Sequence, residues 1–304
     1  MTIERLAAVI EPLGALRRDE PLSRHTTFGI GGPADLFLTV RDSLGLRLAW
    51  RAAADLEVPA FVLGSGSNIL VSDRGIRGLV IDNRARAEET DAAGLTYRVE
   101  SGASFAAFAR RLCRLGKAGM SWGVGIPGTL GGAVVYNAGA YGGCLADILT
   151  AVHLSDASGR AEWVGADTLG MVYRGSAFTR GQFAGKAVLA AEVRLGYGDP
   201  ARLTAEASAH DLKRLAAQPR GRNAGSLFKN PAERPAWKLI EDAGLRGARH
   251  GDAAISDKHC NFFVNEGAAR AADVAWLAAE AERRVFETSG VRLEREVAFV
   301  GDWS

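Results

Sequence analysis

The chain has 304 residues, of which 47% are hydrophobic and 24% charged, and its net charge is +2. That composition fits a folded globular protein with room for two or three domains, and it excludes a disordered chain and an extended nucleic-acid footprint. It leaves open a local basic pocket facing an anionic small molecule. Glycine is the departure, at 37 residues and with no low-complexity tract, where about 7% is usual. Glycines so placed serve tight turns and close backbone approach to a ligand. Cys113, Cys144 and Cys260 are odd in number and far apart. They argue against a disulfide framework or a thiolate metal cage and fit a reducing cytosol. Charges at Glu4, Arg5 and Glu11 interrupt any signal-peptide core near the start. Residues 118–146 carry no Lys, Arg, Asp or Glu, but their nine glycines and Pro127 argue against a lipid-facing helix and for loops lining a buried cofactor.

In chain order, residues 3–16 read as an amphipathic helix, 34–40 as a strand and 43–56 as a helix. A short apolar run at 60–63 enters Gly64-Ser65-Gly66-Ser67-Asn68, and strands at 69–71 and 79–82 flank a turn at Asp73-Arg74-Gly75. A strand at 97–100 precedes a helix from the N-cap Ser104 through Leu115, with Phe105, Phe108, Leu112 and Leu115 at helical spacing. After the uncharged stretch, 151–155 and 161–164 form a hairpin about Asp156-Ala157-Ser158-Gly159, and 187–195 is a strand. Residues 196–200 mark a boundary. Beyond it, 205–217, 237–243 and 271–288 read as helices and 260–265 and 291–300 as strands; Val274, Leu277, Ala278, Ala281 and Val285 give the third helix a clear apolar face, and Gly290 a stop. The irregular interleaving predicts an α+β fold of several small layers rather than one doubly wound sheet.

Several clusters could carry chemistry. Gly64 to Asn68 follows a strand, so its amides could form an anion nest, or it is an ordinary turn. Residues 123–128 match G-x-G-x-x-G in letters, but a poor strand before it and Pro127-Gly128-Thr129-Leu130-Gly131-Gly132 after it, which do not open a normal helix, exclude the dinucleotide fingerprint and leave a glycine-rich cofactor loop of another kind. Ser226 and Lys229 fit S-x-x-K, the serine acylase signature, yet the accompanying Lys-Thr-Gly and Ser-Asp-Asn are absent. A serine beside a cation could equally be a proton donor, or only a cap. Tyr173-Arg174 offers a guanidinium fork for carboxylate or phosphate, though most arginines are solvated. Glu294 and Glu296 would share one face of a last strand; the residues alone favour solvated charges over a proton relay. His250, Asp252, Asp257, His259 and Cys260 match no familiar ligand spacing, so no metal is expected.

Together these segments resemble the UDP-N-acetylenolpyruvoylglucosamine reductase (MurB) family almost end to end. The resemblance runs through residues 25–35, 63–70, 125–133, 137–142, 173–178, 224–231, 239–245, 256–262 and Glu296-Val297. Each is short; their order and combination are specific. The chain departs from the family at Arg222-Asn223, where Pro-Ser is usual, and at residues 250–254. Its length resembles the shorter subgroup without an inserted tyrosine loop.

The resemblance implies an FAD-binding half of the vanillyl-alcohol-oxidase (PCMH) type in two α/β subdomains, 1–85 and 86–198, and an α+β substrate domain, 199–290, with 291–304 returning to the first. FAD pyrophosphate would lie on Gly64, Ser65, Gly66, Ser67 and Asn68, and the isoalloxazine near Ile126, Pro127, Gly128, Thr129, Gly132 and Ala133. NADPH would reduce FAD and leave, and a UDP-amino-sugar enolpyruvate would take its place. Arg174 and Glu296 match the family's positions at the substrate carboxylate, and Ser226 its proton donor to the alpha carbon. Tyr173, Lys229 and Asn230 would contact substrate. A carboxylate beside a carboxylate is repulsive, so Glu296 would be protonated or water-bridged. The implied protein is a cytoplasmic monomer of peptidoglycan precursor synthesis, without nucleic acid, membrane span or metal. The alternatives are a related FAD oxidoreductase on another substrate, a Ser226/Lys229 acyl-enzyme hydrolase, and a flavoprotein without turnover.

Overall fold

A computed structural model describes residues 2–304. The chain divides into two compact units, the first of Met1–Arg18, Leu36–Gly64 and Gly78–Arg214, the second of Asp19–Asp35, Ser65–Arg77 and Leu215–Ser304. The elements alternate between helix and strand without a repeating βαβ order, as an α+β fold requires.

The first unit has two cores. A four-stranded sheet runs Ala15–Pro21, Pro33–Val40, Ile76–Asn83, Ala60–Leu63, the last pair parallel with Ala60 opposite Leu79. Helices α1 (Thr2–Ile10) and α2 (Ser43–Asp55) cover it. Alternate residues of the strands, Leu36, Leu38, Val40, Leu79 and Ile81, meet Leu6 and Ile10 of α1 and Leu46, Ala49 and Ala53 of α2. That is period two packed on period 3.6. Asp42 starts α2 by accepting from Gly45 N at 2.7 Å. The second core lies on a five-stranded antiparallel sheet, Ala161–Gly165, Leu149–Ser155, Ala187–Arg194, Thr96–Glu100, Glu88–Thr90. Helix α3 (Phe105–Arg114) buries Phe105, Phe108 and Leu112 against Val99, Val152 and Val193, together with Leu130 and Val134 of α4 (Leu130–Tyr136). The long helix α5 (Pro200–Ala217) adds Leu203 and Ala207 to that core.

In the second unit, Ala298–Val300 pairs in parallel with Ile69–Val71, and Arg249–His250, Ala253–Ile255 and Phe263–Asn265 form a small antiparallel sheet. Helices α6 (Ala236–Asp242) and α7 (Ala271–Ser289) bring Leu239, Ile240, Val274, Leu277, Ala281 and Val285 onto Phe228, Ile255 and Phe263. Asp73 accepts from the first amides of α7, Ala271 N at 2.8 Å and Ala272 N at 3.0 Å, and Gly290 ends the helix at φ 71°.

Four sequence expectations give way. The first helix stops at Ile10, followed by a 3-10 turn, Glu11–Leu13, and the strand Ala15–Pro21. Pro12 has no N–H to continue the helix, and a Cβ on Gly14 would stand 2.1 Å from Thr39 O. Residues 129–136 do open a helix, because Thr129 caps it through Gly132 N at 3.4 Å and Gly131 approaches Ser101 closely, with Gly131 N donating to Ser101 O at 2.8 Å. The dinucleotide fingerprint stays excluded, since the strand before the loop is only Lys117–Ala118 and is antiparallel to Gly196–Tyr197. The strand expected at 260–265 begins only at Phe263, because residues 256–262 form a turn closed by Ser256 N to Phe262 O at 2.9 Å. The strand expected at 291–300 is only Ala298–Val300. Glu294 and Glu296 therefore do not sit on one face of a strand. Among the described residues no helix is long and apolar enough to cross a membrane.

The turn at 256–262 depends on Asn261, which is 2% exposed. Its side-chain amide accepts from Phe228 N at 2.9 Å and donates to Phe228 O at 2.8 Å, standing in for a strand partner. Asn261→Ala leaves two buried backbone groups unpaired and should cost about 2–5 kcal/mol. Urea denaturation read by tryptophan fluorescence measures it, and a loss below about 1 kcal/mol would mean that water replaces the amide.

Candidate active site

In the first unit the glycine-rich segments meet. A Cβ on Gly64 would lie 2.5 Å from Thr129 Oγ1, so the end of the strand Ala60–Leu63 rests closely on the loop that opens α4. That loop is stitched to the start of α3, with Phe105 N donating to Gly128 O at 3.0 Å and Leu130 N to Ala103 O at 2.9 Å. Among the described residues, the main-chain N–H groups of Gly128 and Thr129 donate to no protein acceptor, nor, in the second unit, do those of Ser65 and Gly66. Amides presented this way on small residues are the donor set that phosphates and flavin carbonyls require, so each segment, taken by itself, fits such a group of an FAD.

The other end of α4 holds Arg174. Asn137 caps the helix at φ 43°, donating from Nδ2 to Val172 O at 3.0 Å and accepting Ala146 N at 3.0 Å. Ser176, fully buried, donates to Val135 O at 2.6 Å. Between them Val172 and Gly175 close a turn by reciprocal bonds of 3.0 and 3.2 Å. Arg174 takes its third position at φ 52°, where glycine is usual. A left-handed arginine costs about 1–2 kcal/mol, and such strain persists where surrounding structure fixes it. Its guanidinium stacks over Tyr173 at 5.5 Å.

In the second unit three more predicted segments converge. Residues 294–297 run beside the Ser226 segment, with Glu296 N donating to Leu227 O at 2.8 Å and Lys229 N to Glu294 O at 2.8 Å. Asn68 of the glycine-serine loop donates to Glu296 O at 3.1 Å, and Ala298 N donates back to Asn68 O at 3.0 Å. Ser226 is bridged to Phe262, and among the described residues its hydroxyl bonds no protein group. Gly66 is left-handed at φ 61°, and a Cβ there would meet His25 O at 2.2 Å. The loop is thereby pinned to the segment at residues 25–32.

Two predicted substrate contacts have protein partners. Lys229 Nζ is 2.5 Å from Glu294 Oε1, and Asn230 Oδ1 accepts from Ala236 N at the start of α6 at 3.0 Å, leaving its amide nitrogen to donate. The polar cluster at 250–260 disperses. His250 stacks on Trp276 at 4.2 Å, Asp252 accepts from Ala268 N at 2.8 Å, and His259 Nδ1 accepts from Asn261 N at 3.3 Å. Burial, with a smaller effect from the charge of Arg246, holds the His259 imidazole below its ordinary range. Burial likewise pushes the Cys260 thiol up. Asn137 and Asn261 support the site without having been singled out from the sequence. The signal was an asparagine inside an otherwise apolar run, a residue that is rarely buried unless it is bonded.

Two families match. The C-terminal domain of UDP-N-acetylenolpyruvoylglucosamine reductase covers residues 205–300, and an FAD-binding domain covers residues 34–165. The chain is 40% identical over 301 residues to UDP-N-acetylenolpyruvoylglucosamine reductase 2 of Symbiobacterium thermophilum, covering 98% of this chain and 96% of that protein. It is 39% identical to the reductase of Geobacter sulfurreducens, covering 98% and 99%. The crystal structure of the reductase (MurB) from Thermus caldophilus superposes with a TM-score of 0.79 at 35% identity, over 94% of this chain and 98% of that one. A berberine bridge enzyme variant, a reticuline dehydrogenase, shares the fold alone, with a TM-score of 0.50 at 16% identity over 64% of this chain and 44% of its own. The α+β, FAD-binding expectation holds.

Proposed function

Because the chain belongs to the UDP-N-acetylenolpyruvoylglucosamine reductase family, we propose that it reduces the enolpyruvyl ether of UDP-N-acetylglucosamine-enolpyruvate to UDP-N-acetylmuramate, with FAD as cofactor and NADPH as electron donor. The observation that carries the reading is the convergence of Asn68, the Ser226 segment and Glu296, three stretches remote in sequence that this reaction needs together. When bound, FAD supplies two-electron transfer from NADPH to the carbon–carbon double bond. The protein's part is to hold and to move protons. Within the loops 64–68 and 126–133, the open amides of Ser65, Gly66, Gly128 and Thr129 bind the cofactor. Arg174, fixed in its turn, binds the substrate carboxylate and stabilises the negative charge that develops there. Ser226 Oγ gives its proton to the alpha carbon, and Glu296 assists at the carboxylate end. Tyr173 and the amide nitrogen of Asn230 contact substrate, as does Lys229 once it leaves Glu294. Residues 1–85 and 86–198 serve as FAD subdomains and 199–290 as the substrate domain, in a cytoplasmic monomer.

The hydrolase alternative loses ground on two observations. S-x-x-K chemistry uses one helical turn to bring Ser and Lys together, whereas residues 226–229 are not helical and Lys229 is paired with Glu294. The visible spectrum decides the matter: the purified protein should show flavin bands near roughly 370 and 450 nm that bleach with anaerobic NADPH and return on adding UDP-N-acetylglucosamine-enolpyruvate. A protein that stays colourless after incubation with FAD would overturn the reading.

A further inference from the structure

Arg295 stands next to Glu296 in the chain, and none of the roles above uses it. The residues between Gly290, which ends α7, and Ala298, where the last strand begins, belong to no helix or sheet. Individual contacts set their place. Arg295 is bridged to Phe228, Lys229 N donates to Glu294 O at 2.8 Å, and the amides of Glu296 and Val297 both donate to Leu227 O, at 2.8 and 3.3 Å. Those bonds hold the stretch to the Ser226 segment.

The Arg295 side chain supplies a second hold, from another direction. It reaches back 13 residues to Glu282 on α7, with Nε donating to Oε1 at 2.5 Å and Nη2 to Oε2 at 3.0 Å. One donor to each carboxylate oxygen is the planar fork that arginine offers and lysine does not. The guanidinium also lies over Phe299, 4.3 Å from its ring centroid, and Phe299 stacks on Trp303 at 5.3 Å. The one side chain thus grips α7 and the last strand together. Among the described residues, Glu282 makes no other hydrogen bond or ion pair, whereas Glu280 and Glu287 of the same helix serve Arg283 and Arg284. The side chains of the pair are 36% and 31% exposed, and a pair so placed adds little to stability. Its effect is directional, because a forked contact fixes an angle as well as a distance.

We infer that Arg295 is a positioning residue, which fixes the place of Glu296 by gripping Glu282 on α7. The inference rests on the reductase reading for the chemistry of Glu296. A displacement of about 1 Å at a reacting group can cost on the order of 10²-fold in rate, so a contact of small stabilising value can still carry a large share of the activity.

The test uses the whole flavoprotein and stopped-flow absorbance. Arg295→Ala and Glu282→Ala should each slow reoxidation of the reduced flavin by the enolpyruvyl substrate about tenfold, with flavin reduction by NADPH, FAD content and melting temperature close to those of the parent. The double variant should be no slower than either single one, because both remove the same interaction. Exchanging the pair, Arg295→Glu with Glu282→Arg, should recover part of the rate, a rescue that a purely packing role would not give. Normal reoxidation in both single variants would overturn the inference. So would losses that multiply in the double variant, or equal slowing of the two half-reactions. If Arg295→Ala does not fold, Glu282→Gln is read the same way. A parent flavin that NADPH does not bleach counts against the reductase reading, and hydrogen exchange then decides Arg295. The amides of residues 294–298 should exchange faster in Glu282→Ala, where that stretch is unaltered in sequence, and unchanged exchange would overturn the inference.

Discussion

Ser226→Ala should leave the reduction of bound flavin by NADPH at its normal rate and slow its reoxidation by the enolpyruvyl substrate by about 10²–10⁴-fold, the range of a lost general acid. The structure makes this a clean experiment. The hydroxyl bonds no protein group among the described residues, and the backbone of its segment is held by other contacts, Leu227 N to Asn261 O at 2.8 Å and Glu296 N to Leu227 O at 2.8 Å. Removing one oxygen should therefore cost little stability, and a change in rate reports on chemistry. Stopped-flow absorbance separates the two half-reactions. Equal slowing of both would remove Ser226 from the proton-donor role, because NADPH oxidation needs no proton at the substrate alpha carbon.

The glycine-serine loop should divide into two kinds of glycine. At Gly64 an added methyl meets Thr129 Oγ1 at 2.5 Å, a side-chain atom that can rotate away. Rotation would break the cap at Gly132 N and deform the loop that opens α4. Gly64→Ala should accordingly fold, with near-normal circular dichroism, but retain FAD at least about tenfold more weakly, a loss of about 1.4 kcal/mol or more. At Gly66 the methyl meets main-chain atoms, His25 O at 2.2 Å and Thr26 Cα at 2.8 Å, from a left-handed φ of 61°. No rotation relieves that. Gly66→Ala should lose flavin and also destabilise the protein by more than the roughly 1–2 kcal/mol of the backbone conformation alone. Absorbance at about 450 nm per protein and thermal melting read both variants. Two variants as yellow and as stable as the parent would exclude this loop from the cofactor site.

The sequence by itself determined the local structure wherever one short-range rule dominated. Asp42 and Ser104 start their helices as N-caps, accepting from Gly45 N and Ala107 N, and the apolar face of α7 with Gly290 fixes that helix to its last turn. Asp156 and Gly159 set the hairpin between Leu149–Ser155 and Ala161–Gly165. The order of the short motifs also determined the family, because a motif's chemistry survives in its letters. What only the tertiary structure decided were the places where a residue's partner is far away in the chain. Helix α4 exists because Thr129 caps it and Gly131 can touch Ser101, although its glycines read locally as loop. Residues 294–297 lack a sheet because they pair instead with the Ser226 segment, and that pairing is what carries Glu296 to Leu227 and Asn68. The partner of Asn261 was equally undetermined: an asparagine in an apolar run signals a buried hydrogen bond, but only the structure shows that it goes to the backbone of Phe228. Propensity and period are sums over neighbours in sequence, whereas an active site is assembled by long-range hydrogen bonds that those sums do not contain.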